Sequence, residues 1–379
     1  MAPSSASPDV IVIGGGVIGA STAYFLSAEH NLRCLVLERD GIASGASGGA
    51  AGELGAVGRH QFSEPYTRFL LKGIEMHSSL APTLLEESGI DYLLSDIPMI
   101  RPAFDEQETA ELRSAMEWQR SAGMDVEWLD ADVLHGLGSW LTTDAVGAAY
   151  TVEKQLEAYS FALALAQAAE RHRVEFRTSE VTEVLRSGST VTGVRSGNDT
   201  YHAGAVVVAN GPWVKQSSAW LGMDVPVIPL RGQIIHVGLP PDMEMPEHAI
   251  FHETGYLLPK AGGGLMVGTT QEDVGFDSSI TADARDSILE GVIRLAPALV
   301  DAPIKDHTAC LRPYSLDELP IIGAVPGSES LYIATGHAFK GVTLALITGK
   351  YLAQLMVRGV SDLPLDEFSP NRFLDNSAR

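Results

Sequence analysis

The chain has 379 residues, 45% hydrophobic and 20% charged, enough for a substantial core and two or three domain-sized units, so general disorder is not expected. A formal charge of −22, with no run of basic residues, argues against a phosphate-backbone partner such as nucleic acid. Two cysteines, Cys34 and Cys310, exclude a disulfide framework or a cysteine zinc site by count.

The opening MAPSSASPD lacks the basic and apolar regions of a secretory signal, and about six residues read as a disordered tail. DVIVI (9–13) reads as a continuous buried strand, GGGVIG as a tight turn, 17–29 as a helix and RCLVLE (33–38) as a second strand, a βαβ unit with a parallel pair. The uncharged run 10–26 is slightly short for a membrane span, carries four glycines and changes period partway. No transmembrane segment is expected, and the cytoplasm is the expected compartment. Residues 65–92 and 104–122 read as helices. VEFRT, VTEVLRSG, TVTGVRSG and AVVVAN, between 174 and 210, read as short strands separated by turns. QIIHVGL leads into GYLLPKAGGGLMVGTT, a hairpin around its glycines. Residues 281–297 form a helix with Thr281 as cap and Asp283 in its first turn. LYIATG (331–336) and the helix 341–357 make a second strand–glycine–helix junction. The α/β elements at both ends bracket a β-rich middle.

Gly14, Gly16 and Gly19 fit GxGxxG after a strand and at the start of a helix. Such a turn brings backbone and a helix N-terminus to a pyrophosphate. Glu38 ends the next strand, where a carboxylate accepts from ribose hydroxyls and disfavours a 2′-phosphate. The motif alone leaves NAD and FAD open. ASGASGGAAGELG (43–55) reads either as a linker or as a chain of small residues passing close to a bulky flat ring. Its place directly after the βαβ unit favours the ring, and hence FAD.

Six ordered stretches carry a resemblance over nearly the whole length: VIVIGGGVIGASTAYFL with LVLE, ASGASGGAAG, VVVANGPW, GYLLPKAGGGLMVGTT, CLRPYSLDELPIIG and ATGHAFKG. The chain resembles the D-amino-acid oxidase superfamily, and within it the glycine oxidase and sarcosine oxidase branches. The resemblance implies an α/β (α+β) fold in which a Rossmann-type FAD-binding domain (8–85, 150–220 and 311–370) carries an inserted β-rich mixed-sheet substrate domain (86–149 and 221–310). It implies that Val17, Ile18, Glu38 and Arg39 touch the ADP half of FAD. Ala46, Ser47, Ala51, Gly52 and Glu53 then follow the pyrophosphate and ring, Val181 meets the adenine side through its backbone, and Gly211 lies in the matching VVVANGPW. The turn holding His337, Phe339, Lys340, Gly341, Val342 and Thr343 approaches the pyrimidine end. Free N–H groups at 340–343 would there stabilise negative charge on the reduced ring.

By the same resemblance Arg312 binds the substrate carboxylate, assisted by Tyr256; a guanidinium fork suits that group. The alternative is a structural pair between Arg312 and a carboxylate such as Asp317. Three positions depart from a single branch. Phe339 replaces the second arginine of glycine oxidases, while Lys340 matches the carboxylate-binding lysine of monomeric sarcosine oxidases. Met266 stands where those enzymes have an oxygen-activating lysine. Cys310 aligns with the cysteine they bond to the flavin, a small buried cysteine being the other reading. Arg59, His60 and Glu53 are ambiguous pocket residues. The expected reaction is hydride transfer from Cα of a small amino acid or N-alkyl amino acid to flavin N5, giving an imine that hydrolyses to an oxo acid and an amine. No dedicated base is expected. Electrons go to oxygen or another acceptor, and both a homo-oligomer and a heteromeric complex are open. The rivals are a flavin-bearing subunit of a heteromeric dehydrogenase, an NAD-dependent dehydrogenase and a soluble binding module.

Overall fold

The computed structural model describes residues 7–56, 61–241 and 243–378. The N-terminal tail of six residues, Arg59 and His60 lie outside the described residues.

Val10–Ile13 has no polar residue, and it lies where both faces are covered. It pairs in parallel with Cys34–Glu38 on one side and Ala205–Val208 on the other. Glu175–Thr178 and the antiparallel pair Ile321–Ala324 and Leu331–Thr335 complete a six-stranded sheet. Alternation along the strands divides the core. Val10, Val12, Cys34, Val36 and Val207 face the helices Val17–Ala28, Ala158–Arg171 and Ala345–Arg358. Ile11, Ile13, Leu35, Leu37, Val206 and Val208 face the small antiparallel sheet Glu183–Ser187, Thr190–Ser196 and Asp199–His202. Continuous apolar strands are what such two-sided burial requires.

Val17–Ala28 is buried on almost every side, so it has no solvent face to pattern as polar. The helix Glu64–Ser88 starts where Ser63 accepts from the Tyr66 N–H and Pro65 fills the first turn. It stops at Gly89 in the left-handed conformation. Thr281 caps Ala282–Leu295 by accepting from the Ala284 N–H.

The middle of the chain supplies a nine-stranded mixed sheet. Its spine is Val227–Val237, paired along its length with Ile304–Ser315 and, on its other side, with Leu265–Gly268. The hairpin joins Gly255–Pro259 to Leu265–Gly268, with Gly263 and Gly264 at positive φ in the turn. Ala249–His252 lies beside Ser95–Ala103 in parallel, and Ser95–Ala103 pairs with Gly147–Gln155. Positions 150 and 311 thus fall inside strands of this sheet. No helix among the described residues is long and apolar enough to cross a membrane.

Candidate active site

A single cavity of about 870 Å³ runs from the first glycine turn to the hairpin of the nine-stranded sheet. Of the residues expected at a cofactor or substrate, Gly14, Gly16, Val17, Ile18, Glu38, Arg39, Ala46, Ser47, Ala51, Gly52, Glu53, Val181 and Gly211 line it. Tyr256, Cys310, Arg312, His337, Phe339, Lys340, Gly341 and Val342 line it as well. Gly19 and Thr343 are not among the residues that line it.

At the end nearer the first glycine turn, Glu38 turns one oxygen to the Gly15 N–H (2.6 Å) and the other to the Asp40 N–H (3.0 Å), which locks that turn onto the second strand. Ser47 Oγ accepts from the Val17 N–H at 3.0 Å, at the start of a helix that has no cap of its own. Arg39 lies over the Trp213 ring, 4.6 Å from its centroid, and both border the cavity.

The second junction presents donors. The Lys340 N–H bonds to His337 O, whereas the N–H groups of Gly341, Val342 and Thr343 have no backbone acceptor among the described residues. The buried Thr343 Oγ1 is also without a partner. His77, on Glu64–Ser88, props this turn from behind. Its Nε2 donates to Val342 O (3.1 Å) and Thr343 O (3.2 Å), which leaves the lone pair on Nδ1. Burial pulls the His77 imidazole down to about 4 and that of His337 to about 3. Both are therefore neutral in the folded protein, while the unfolded chain protonates them below about 6.5. As pH falls from 6.5 towards 4, only the unfolded state gains these protons, so stability is lost on acidification. His77→Asn is expected to flatten that part of a plot of Tm against pH; an unchanged slope would count against the assignment.

Arg312 reaches the cavity from the strand Ile304–Ser315. It is 9% exposed. Its Nη1 donates to Thr270 O (3.0 Å) and its Nη2 to Thr269 Oγ1 (2.8 Å), while Phe339 lies 5.1 Å from the guanidinium. No carboxylate among the described residues pairs with it. Asp317, the alternative partner, bonds Arg372 at 2.7 Å. Tyr256 is buried and stacked on Phe251; burial raises its hydroxyl above the ordinary range, with the Arg312 charge opposing. Arg312 and Tyr256 therefore stand together as a cation and a neutral donor at one cavity wall.

Lys340, expected to bind the substrate carboxylate, lines the cavity and has partners within the chain. Its Nζ donates to Gly55 O (2.7 Å) and lies 3.7 Å from Glu53 Oε2. Glu53 is held by a buried partner, Glu153, which accepts from Arg101 Nη2 at 2.7 Å. Burial alone would raise Glu53, but Lys340, the bond to Glu153 and Arg101 bring it below the usual carboxylate range. Burial drives Glu153 the other way, with Arg101 opposing and Glu53 assisting. Arg101 and Glu153 lie on Ser95–Ala103 and Gly147–Gln155, strands with no local motif to mark them. Met266 is buried among Tyr256, Leu258 and Ile234. The lysine that the hairpin does bury is Lys260, whose Nζ donates to Ala51 O (2.8 Å) and Leu156 O (2.9 Å). Cys310 lies against Gly49, its thiol raised by burial, with Arg312 opposing.

A glycine turn at a helix start, an acidic strand end, a wall of small residues and a second turn of unpaired N–H groups suit a dinucleotide that ends in a flat ring able to hold negative charge. A family model described as FAD dependent oxidoreductase matches residues 9–355. The chain belongs to this family. The flavoenzyme is 31% identical over 371 residues to the glycine oxidase of Geobacillus kaustophilus (strain HTA426), across 97% of both chains. It is 29% identical over 402 residues to the hydrogen cyanide synthase subunit HcnC of Pseudomonas aeruginosa, across 96% of both. The crystal structure of glycine oxidase from Geobacillus kaustophilus matches the flavoenzyme's fold with a TM-score of 0.90 at 30% identity, over 96% of this chain and 98% of that one. FAD is its cofactor, and its chemistry is oxidation–reduction.

Proposed function

We propose that this flavoenzyme oxidises a small amino acid or N-alkyl amino acid, with glycine and sarcosine as leading candidates. The observation that carries the reading is Arg312, a buried guanidinium at the cavity wall, held by Thr269 and Thr270 and paired with no carboxylate among the described residues. A substrate carboxylate supplies the missing partner, and the neutral Tyr256 hydroxyl donates beside it. The glycine oxidase relative supports the same substrate class.

In this proposal the six-stranded sheet and its helices hold FAD, and the nine-stranded sheet roofs the substrate. Gly14, Gly16, Val17 and Ser47 take the pyrophosphate, Glu38 the ribose, and the 341–343 turn the far edge of the ring. When bound, FAD accepts the two electrons and the hydrogen that leave Cα. The protein's part is to fix the carboxylate on Arg312 so that Cα faces the ring, and to keep water from the reacting face until an imine has formed. Hydrolysis of that imine gives the oxo acid and the amine. The cytoplasm is the proposed compartment. HcnC is named as a subunit, and this motivates a second reading in which electrons pass to a partner or quinone.

The visible spectrum of the anaerobic protein tests both. Bleaching of the flavin band by glycine, sarcosine or one of the D- or L-amino acids is expected. Reoxidation by air then separates an oxidase from a dehydrogenase; a band that none of these amines bleaches overturns the substrate class.

A further inference from the structure

The carboxylate pair beside the substrate wall has a geometry that simple ion pairing does not explain. A Cβ on Gly55 would stand 1.7 Å from Glu53 Oε1 and 2.1 Å from Glu153 Oε2. The two oxygens can thus be no further apart than those distances laid end to end. Two carboxylate oxygens at that range, with Glu153 buried and Glu53 half-buried, repel unless a proton lies between them. Glu153 Oε2 is buried and receives no hydrogen bond from any N–H or O–H group among the described residues. A shared proton satisfies it.

Only Glu53 of the pair faces the cavity, on the same wall as Arg312, Tyr256 and Lys340. The Tyr256 hydroxyl feels the charges of both Arg312 and Glu53, and all three line the same cavity. An amino acid has the complementary polarity, a carboxylate for Arg312 and an ammonium for Glu53. The ammonium must lose a proton before its nitrogen lone pair can help form the C=N bond. Resting on the reading of an amino-acid substrate given above, we infer that Glu53, backed by Glu153, receives the ammonium of the substrate and takes its proton. An N–H bond breaks, an O–H bond forms on the Glu53–Glu153 pair, which shares the proton, and nitrogen keeps the electron pair. That pair becomes the second bond of the imine as Cα–H leaves with its two electrons to FAD. The proton then passes from the Glu53–Glu153 pair to water.

Among the described residues, Glu153, Lys340, Arg101 and Tyr256 are the titratable and charged groups that act on Glu53 or feel its charge. With both carboxylates ionised, Arg101 and Lys340 balance them; the proton taken from the substrate leaves one net positive charge. The receptive form is therefore the ionised pair. Burial holds Glu153 well above the usual carboxylate range, so the rate of flavin reduction rises with pH as the shared proton is lost.

Glu53→Gln should bind FAD and lower the anaerobic reduction rate by about 100-fold, with the rising limb flattened. The affinity for a carboxylic acid that lacks an amine should be unchanged. Wild-type rate and limb in Glu53→Gln overturn the inference. Should that variant not fold, Glu153→Gln is decisive: the limb must move to lower pH, and a fixed midpoint overturns the inference. Infrared difference spectra give a readout independent of turnover. A carboxylic-acid carbonyl band should titrate in wild type and vanish in Glu153→Gln; its absence from wild type is contrary evidence. A wild type that no amine bleaches defeats the amino-acid reading and this inference together, whereas an active wild type with an unaffected Glu53→Gln defeats this inference alone.

Discussion

Arg312→Ala should raise KM for the amino acid by roughly two to three orders of magnitude while the purified protein remains yellow. Removing one partner of a buried charge pair costs about 3–5 kcal/mol, and about 1.4 kcal/mol is a factor of ten. The guanidinium is braced by Thr269, Thr270 and the Phe339 ring rather than by another charge, so its loss strips no ion pair from the fold. Arg312→Lys keeps the charge but loses the planar fork, and should lie between alanine and wild type. The measurement is the anaerobic reduction rate against substrate concentration, beside the flavin content per protein. Flavin loss with unchanged kinetics in the remaining holoenzyme would sink the assignment.

The second large effect separates two glycines of one motif. A methyl on Gly19 would stand 2.0 Å from Gly14 O and 3.1 Å from its carbon, inside rigid backbone. Gly19→Ala is therefore expected to lose folded, soluble protein outright. A methyl on Gly16 would meet only Ser47 Oγ, at 2.9 Å, the end of a side chain that can turn away. Gly16→Ala should keep the fold and instead weaken FAD binding, because the added carbon occupies the approach of the pyrophosphate. Far-ultraviolet circular dichroism and the flavin-to-protein absorbance ratio distinguish these outcomes. Full flavin content in folded Gly16→Ala would show that the phosphate does not lie at this turn.

Features held by local chemistry could be read from the sequence. The βαβ unit follows from apolar strands on either side of closely spaced glycines, the hairpin from its glycine turn, and the helix at 282 from its Thr281 cap. The helix Ala158–Arg171 escaped notice although its run of Ala and Leu is a clear helical signal. Ile304–Ser315 carries Pro313 and lies across from Pro229, which obscures a strand pattern. The helix after the second junction begins at Ala345 rather than 341, because residues 341–344 form the turn that offers free N–H groups.

The site was legible in proportion to how local each part is. Arg312, Tyr256 and the glycine turn belong to short motifs, and the cavity brings them together. Lys340 shows the limit. Its neighbours suggest a carboxylate ligand, but they do not reveal its partners within the chain, Gly55 O and Glu53, nearly three hundred residues earlier. Glu153 and Arg101 became visible only once the pairing of two strands had placed them side by side.

The order of strands in the six-stranded sheet bears on how the chain matures during synthesis. Val10–Ile13 is made long before one of its two neighbours, Ala205–Val208, and the strand beyond that is Leu331–Thr335. Until those strands are made this apolar segment lacks part of what covers it, a long-range dependence that slows folding and calls for protection against aggregation. The turn at 341–343 emerges later still. No fragment ending before Thr335 holds both strand–glycine–helix junctions of the cavity wall.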